Sequence, residues 1–343
     1  DAVTRDAGST DAQDDAPSDA RFVPDAEPVS APNDTWTWVD VPGSACANGR
    51  PTGFGINRHA GSRGVMIFLQ GGGACWDGAT CWGPVSSSFY VATGYGRTEF
   101  SLDILRPASL LLRRNDAANP FRDFNLVYVP YCTGDVHAGD RVITYDYFGP
   151  RETHHRGARN LALLLPRVAA TFPDAERVFV AGDSAGGFGV AFSVDKVQAV
   201  FPEVRVGGLD DSGPPVQPDG DRWATWARNW GVVFPSNCSP ACATSIDALV
   251  DAYRVRVADN PIAVMSFEND FIIRTFMGYD AQGFGTRLRA LADRIDLTWP
   301  GAKYFITPGI SHVLEIQPIR PQGYDDWVRR FVAGDPTLRS VRP

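Results

Sequence analysis

At 343 residues, 44% hydrophobic and 21% charged, the chain has the length and composition to bury a large core. Its net charge of −8 lies almost wholly in residues 1–34, where nine acids face Arg5 and Arg21, so the rest is near neutral and offers no basic surface for a nucleic-acid partner. No apolar run approaches the ~20 residues that span a bilayer, which argues against a membrane-spanning helix.

Residues 1–34 are Asp, Ala, Pro and Ser with almost no large apolar side chain, the composition of a disordered acidic tether. The first residue is Asp1 rather than Met, from which we expect an export signal already removed. Six cysteines follow, two pairs of them close in sequence: Cys75 with Cys81, and Cys238 with Cys242. Neither pair has CxxC spacing and no His stands beside either, so disulfides are expected rather than zinc, and with them an extracellular or periplasmic location.

From residue 35 to 343 we expect one α/β domain. Six near-continuous apolar runs predict strands at 64–70, 124–131, 177–182, 204–210, 261–268 and 302–309, each covered on both faces. Helical periodicity lies between them at 158–172, 189–201, 245–258 and 279–295, and this alternation implies a mostly parallel sheet flanked by helices. In such sheets the working residues sit just past the carboxyl ends of the strands. There the sequence has Gly71-Gly72-Gly73-Ala74-Cys75-Trp76, Cys132-Thr133-Gly134-Asp135, Gly182-Asp183-Ser184-Ala185-Gly186, Asp211-Ser212-Gly213, Glu268-Asn269-Asp270 and Ser311-His312.

The third of these has the strand, the flanking glycines and the following helix of a nucleophile elbow, with Ser184 at its apex. A phosphate loop would want a Lys near the glycines, and none is there. A serine hydroxyl needs a base to take its proton and an acid to orient that base. His312 follows the last strand and is the expected base, with His137 as runner-up; His59, His154 and His155 suit surface loops or local hydrogen bonds. For the acid, Asp270 is favoured, while Glu268, Asp210 and Asp211 remain open, Asp211 having a competing role as a turn cap. The amide of Ala185 and the Gly71–Gly73 loop are expected to meet a developing oxyanion. Trp223, Trp226 and Trp230 share one helical face, a pattern suited to core packing more than to a lid.

Together "FLQGGGACW", "YVPYCTGDVHAGD", "VFVAGDSAGGFGV" and "LDDSG" resemble the pectin acetylesterase family of carboxylesterases, from about Cys46 to His312. The resemblance implies an α/β-hydrolase-like fold, a Ser184–Asp270–His312 triad, an oxyanion hole from Gly72, Gly73 and Ala185, and a Cys46–Cys132 disulfide that leaves the two close pairs as local rings. It implies neither cofactor nor metal. Family members commonly carry Trp just before the cysteine of the glycine loop. Here Ala74 stands in that place and Trp76 follows, which makes Ala74, Trp76 and Asp183 the candidates for the substrate pocket. The expected partner is an ester: an acetylated polysaccharide first, or another short-acyl, lipid or polyester substrate. A silent binding protein that keeps the hydrolase fold is the remaining alternative.

Overall fold

The computed structural model describes residues 26–343, apart from 85, 86 and 106. Its strands are β1 (Thr37–Asp40), β2 (Gly53–Asn57), β3 (Gly64–Leu69), β4 (Asn125–Val129), β5 (Arg141–Asp146), β6 (Pro150–His155), β7 (Arg177–Asp183), β8 (Val206–Asp211), β9 (Ile262–Phe267) and β10 (Ala302–Thr307). Eight of them form one sheet in the order β1-β2-β4-β3-β7-β8-β9-β10, and β5 pairs only with β6. From β4 to β10 neighbouring strands are parallel, while β1 and β2 add an antiparallel edge.

The six apolar runs are β3, β4 and β7–β10, the parallel part of this sheet, and their continuity has a simple cause. Val65, Ile67 and Leu69 of β3 enter one core layer, whereas Met66 and Phe68 enter the other. In β7, Val178 and Val180 face the first layer and Phe179 and Ala181 the second. Successive side chains on a strand point to opposite faces, so two buried faces require an unbroken run.

The helices are α1 (Gly78–Trp82), α2 (Arg97–Leu105), α3 (Gly157–Thr171), α4 (Ala185–Val190), α5 (Val194–Val200), α6 (Arg222–Trp230), α7 (Ile246–Arg256), α8 (Phe271–Met277), α9 (Ala281–Thr298) and α10 (Tyr324–Ala333). Leu161, Leu164 and Val168 of α3, Leu249 of α7 and Leu288 of α9 cover the first face; Phe100 of α2 and Trp327 and Phe331 of α10 cover the second. The expected helix at 189–201 is two helices, α4 and α5, and starts earlier, at Ala185. Its first turn is Ala-Gly-Gly, which carries no apolar periodicity to read. Trp223, Trp226 and Trp230 are buried along α6.

The expected boundary at residue 34 needs correction. Residues 1–25 lie outside the described residues, but Val29 and Ala31 are buried against the body, Val29 N donates to Thr171 Oγ1 at 2.8 Å, and Asp34 N donates to Arg58 O at 2.7 Å. Alternate residues of an extended segment fill the surface of α3 here, a local pattern that composition averaged over 34 residues conceals.

All three disulfides, Cys46–Cys132, Cys75–Cys81 and Cys238–Cys242, are formed. The first ties the β1–β2 connection to the end of β4. Among the described residues no helix is long and apolar enough to cross a membrane.

Candidate active site

The parallel strands deliver their carboxyl ends to one edge, and the chain turns there in strained ways. Ser184 leaves β7 at φ +52° and ψ −119°, a left-handed backbone for a residue that carries a Cβ. Its N–H donates to Asp211 O at 2.8 Å and its carbonyl accepts the N–H of Phe188 at 2.9 Å, so the neighbouring strand and the new helix hold the turn from both sides. The flanking glycines are there for space. A Cβ on Gly186 would lie 1.9 Å from Leu69 O, and one on Gly182 would lie 2.5 Å from the carbonyl carbon of Gly186.

Ser184 opens onto a cleft of about 570 Å³ whose walls include Gln70, Phe89, Leu102, Asp183 and His312. On its other side lies a narrow apolar pocket lined by Ala74, Phe188, Trp226, Trp230 and Phe276. Trp76 lines neither; its ring packs on Trp226 at 5.3 Å, behind the pocket wall, which corrects its expected place in the substrate pocket.

His312, after β10, bonds through Nδ1 to Asp270 Oδ2 at 2.8 Å. Asp270 is fully buried, and its other oxygen accepts the N–H groups of Ile272 and Ile273 at 3.0 and 3.1 Å, capping α8. Of the four carboxylates left open by the sequence, only Asp270 reaches the imidazole. Glu268 pairs with Arg289, Asp210 accepts the N–H of Gly213, and Asp211 accepts the N–H groups of Leu314 and Glu315. Ser184 Oγ and His312 share the cleft without a direct hydrogen bond between them.

The glycine loop faces Ser184 from the end of β3. Gly71 N donates to Asp183 Oδ1 at 2.7 Å, while Gly72 at φ +146° and Gly73 at φ +80° turn the chain. Phe89 N to Gly72 O and Ala74 N to Ser87 O fasten the turn. Neither Gly72 N nor Gly73 N donates to an acceptor among the described residues, and Ala185 N, first in α4, has no partner inside its helix. Burial pushes the Asp183 carboxyl up to about 6, with the Asp211 charge adding to the rise and the Gly71 amide and His312 opposing it.

His137, the alternative base, lies outside the cleft. It is buried behind the glycine loop, donates from Nε2 to Gln70 O at 2.9 Å, and is held neutral by desolvation, which lowers its pKa to about 4. His155 is likewise buried and lowered to about 4, between Thr133 O and the Tyr145 hydroxyl, whereas His59 and His154 pair with Asp34 and Glu152 nearer the surface. Phe276 and Ile272 of α8, and Phe89 and Leu102, are cleft residues that sequence reasoning missed. Phe276 and Ile272 were reachable, since both follow the acid candidate Asp270 within two helical turns. No group of His, Cys, Asp and Glu among the described residues is arranged to hold a metal ion.

Known carboxylesterases share part of this sequence. The chain is 30% identical over 176 residues to the palmitoleoyl-protein carboxylesterase notum2 of Xenopus laevis, an alignment covering 49% of this chain and 34% of that protein. It is 28% identical over 179 residues to NOTUM of Mus musculus and 29% over 185 residues to NOTUM of Homo sapiens, again covering 49% of this chain and about a third of each relative. A family model, pectinacetylesterase, matches residues 29–221, a span that begins at the packed Val29 and includes the glycine loop, the Ser184 turn and the Asp211-Ser212 strand end. With more than half of its length so matched, the chain belongs to the pectinacetylesterase family.

Proposed function

We propose that this chain is an exported serine carboxylesterase that works through an acyl-enzyme, with residues 29–343 as its catalytic domain. The observation that carries the reading is that His312, in the cleft onto which the strained Ser184 opens, is bonded at 2.8 Å to the buried Asp270 behind it. In this reading Ser184 Oγ attacks the ester carbonyl as His312 Nε2 takes its proton, and Asp270 holds the Nδ1–H and stabilises the imidazolium. The amides of Gly72, Gly73 and Ala185 receive the oxyanion. His312 then protonates the departing alcohol, and a water activated by the same imidazole releases the acid.

The narrow apolar pocket beside Ser184 suits a short acyl group such as acetyl, and the wide cleft suits the alcohol portion, for which an acetylated polysaccharide is the first choice. A second reading, an ester whose alcohol or acyl portion is itself apolar, is favoured by Phe89 and Leu102, which line the cleft although they are 70% and 65% exposed. The three disulfides support an extracellular or periplasmic site of action, and residues preceding Val29 would then serve as the tether. Ser184→Ala should abolish hydrolysis of p-nitrophenyl acetate and labelling by a fluorophosphonate while the folded state persists. Retained turnover would overturn the assignment, and a wild-type chain that the probe does not label would point to a silent binding protein. Acetate release from acetylated pectin or xylan, set against an acyl-length series of simple esters, separates the two substrate readings.

A further inference from the structure

Asp211 touches the turn of Ser184 with its backbone and the loop of His312 with its side chain. Its carbonyl accepts the Ser184 N–H at 2.8 Å. Its carboxylate, 1% exposed, accepts the N–H of Leu314 on one oxygen and the N–H of Glu315 on the other, both at 2.9 Å. The hydroxyl of Ser212 donates to the same carboxylate at 2.9 Å and accepts the N–H of Val313 at 3.1 Å. Three consecutive amides directly after His312 are thus held by two adjacent residues at the end of β8. Tyr324, at the start of α10, closes the carboxylate from behind at 3.2 Å. The grip holds backbone in sparsely populated conformations on both sides: Ser212 sits at φ +61° and Val313 at φ +57°. Asp270 bonds the ring of His312, Gln317 bonds the carbonyls of His312 and Val313 at 2.7 Å each, and the Asp211-Ser212 pair holds the three amides that follow.

We propose that Asp211, with Ser212, is a positioning residue that sets the distance between the nucleophile and its base, acting on Ser184 through its carbonyl and on the His312 loop through its carboxylate. The proposal rests on the reading of Ser184 and His312 as nucleophile and base. Asp211→Asn keeps the volume and the oxygen that serves Leu314, but sets an amide N–H₂ against the Glu315 N–H, so the loop must shift. A displacement near 1 Å at a reacting group is worth about 10²-fold, and a loss of that order is expected in kcat with KM within about twofold. Ser212→Gly suits the left-handed backbone and removes both bonds of the hydroxyl, the one from Val313 N–H and the one to the Asp211 carboxylate, while leaving the Leu314 and Glu315 bonds in place; a loss of roughly tenfold in kcat is expected.

Rates are to be taken per active site titrated with a fluorophosphonate, because a merely structural defect would lower the number of titratable sites and leave the rate of each unchanged. The Nδ1 proton resonance of His312 should broaden or move in both variants. Unchanged kcat per titrated site in Asp211→Asn overturns the proposal; should that variant not fold, unchanged kcat per site in Ser212→Gly overturns it. The parallel Ser184→Ala control keeps the two readings apart. If Ser184→Ala retains turnover, the catalytic assignment fails, whereas a dead Ser184→Ala beside a fully active Asp211→Asn defeats the positioning role alone.

Discussion

Asp270 divides its two oxygens between different tasks: Oδ2 meets Nδ1 of His312 at 2.8 Å, and Oδ1 caps the first turn of α8 through Ile272 and Ile273. The substitutions at this position therefore separate catalysis from stability. Asp270→Asn retains a good N-cap, so its Tm should stay within a few degrees of wild type, while kcat should fall by about 10³- to 10⁴-fold because the amide favours the wrong imidazole tautomer. Asp270→Ala should lose the same activity and about 1 kcal/mol of stability besides. Thermal melts and ester hydrolysis measured side by side would show whether the two losses divide this way.

The glycines around Ser184 make a steric prediction. With Leu69 O only 1.9 Å from the site of a Cβ, Gly186→Ala must push α4 off the end of β3. A destabilisation of about 1–3 kcal/mol, typical of overpacked sites, is expected in denaturant melts. An unaltered midpoint would mean that the turn has room which the packing of Gly186 on Leu69 denies.

Asp183 predicts a pH dependence. Its carboxyl is raised from 3.8 to about 6 by burial first, so the folded state binds its proton more tightly than the unfolded chain does. Its contribution to stability is therefore complete below about pH 4 and is lost as pH rises through about 6. Asp183→Asn, whose carbonyl oxygen can still accept the Gly71 N–H, should melt above wild type at pH 7 and level with it at pH 4. Equal melting at both values would show that burial costs the carboxylate nothing.

The disulfides should contribute unequally. Cys46 and Cys132 are 86 residues apart, while Cys238 and Cys242 are only 4 apart. The longer loop restricts the unfolded chain more, so removing Cys46–Cys132 by paired Ala substitution should cost about 2–5 kcal/mol, with a clearly smaller loss for the pair at 238 and 242. Melts of the two double variants under non-reducing conditions test the order.

Phe276 lines both the narrow pocket and the wide cleft. Phe276→Ala should therefore merge them and raise kcat/KM for hexanoyl relative to acetyl esters by on the order of tenfold, the scale at which an apolar pocket discriminates chain length. An unchanged ratio would place the acyl group elsewhere.

How much of this was readable from residues alone depended on whether a feature is local. β3, β4 and β7–β10 announce themselves because strands buried on two faces are apolar throughout. β2 does not: it reads Gly-Phe-Gly-Ile-Asn, and its Gly55 is small because the Phe100 ring lies where a Cβ would be. The β5–β6 hairpin is mostly exposed and has neither alternation nor an apolar run. In the site, Ser184 was legible from its own turn. The partner of His312 was favoured there as Asp270 but not fixed, since Glu268, Asp210, Asp211 and Asp270 all end strands at the same edge, and only the path of the His312 loop tells which one meets the ring. Cys46–Cys132 joins segments too distant for spacing to pair, and it came from family likeness.

The two-sided burial of β7 also sets how the chain can change length. Inserting one residue early in β7 would exchange Val178 and Val180 with Phe179 and Ala181 between layers and turn the serine to the far face, so every phase of the strand is committed. The β5–β6 ribbon carries no such commitment: Phe148 at its tip is 92% exposed and Gly149 has open space around it. A peptide tag or a surface-anchoring module grafted between Tyr147 and Gly149 would extend the molecule without disturbing the order of its layers.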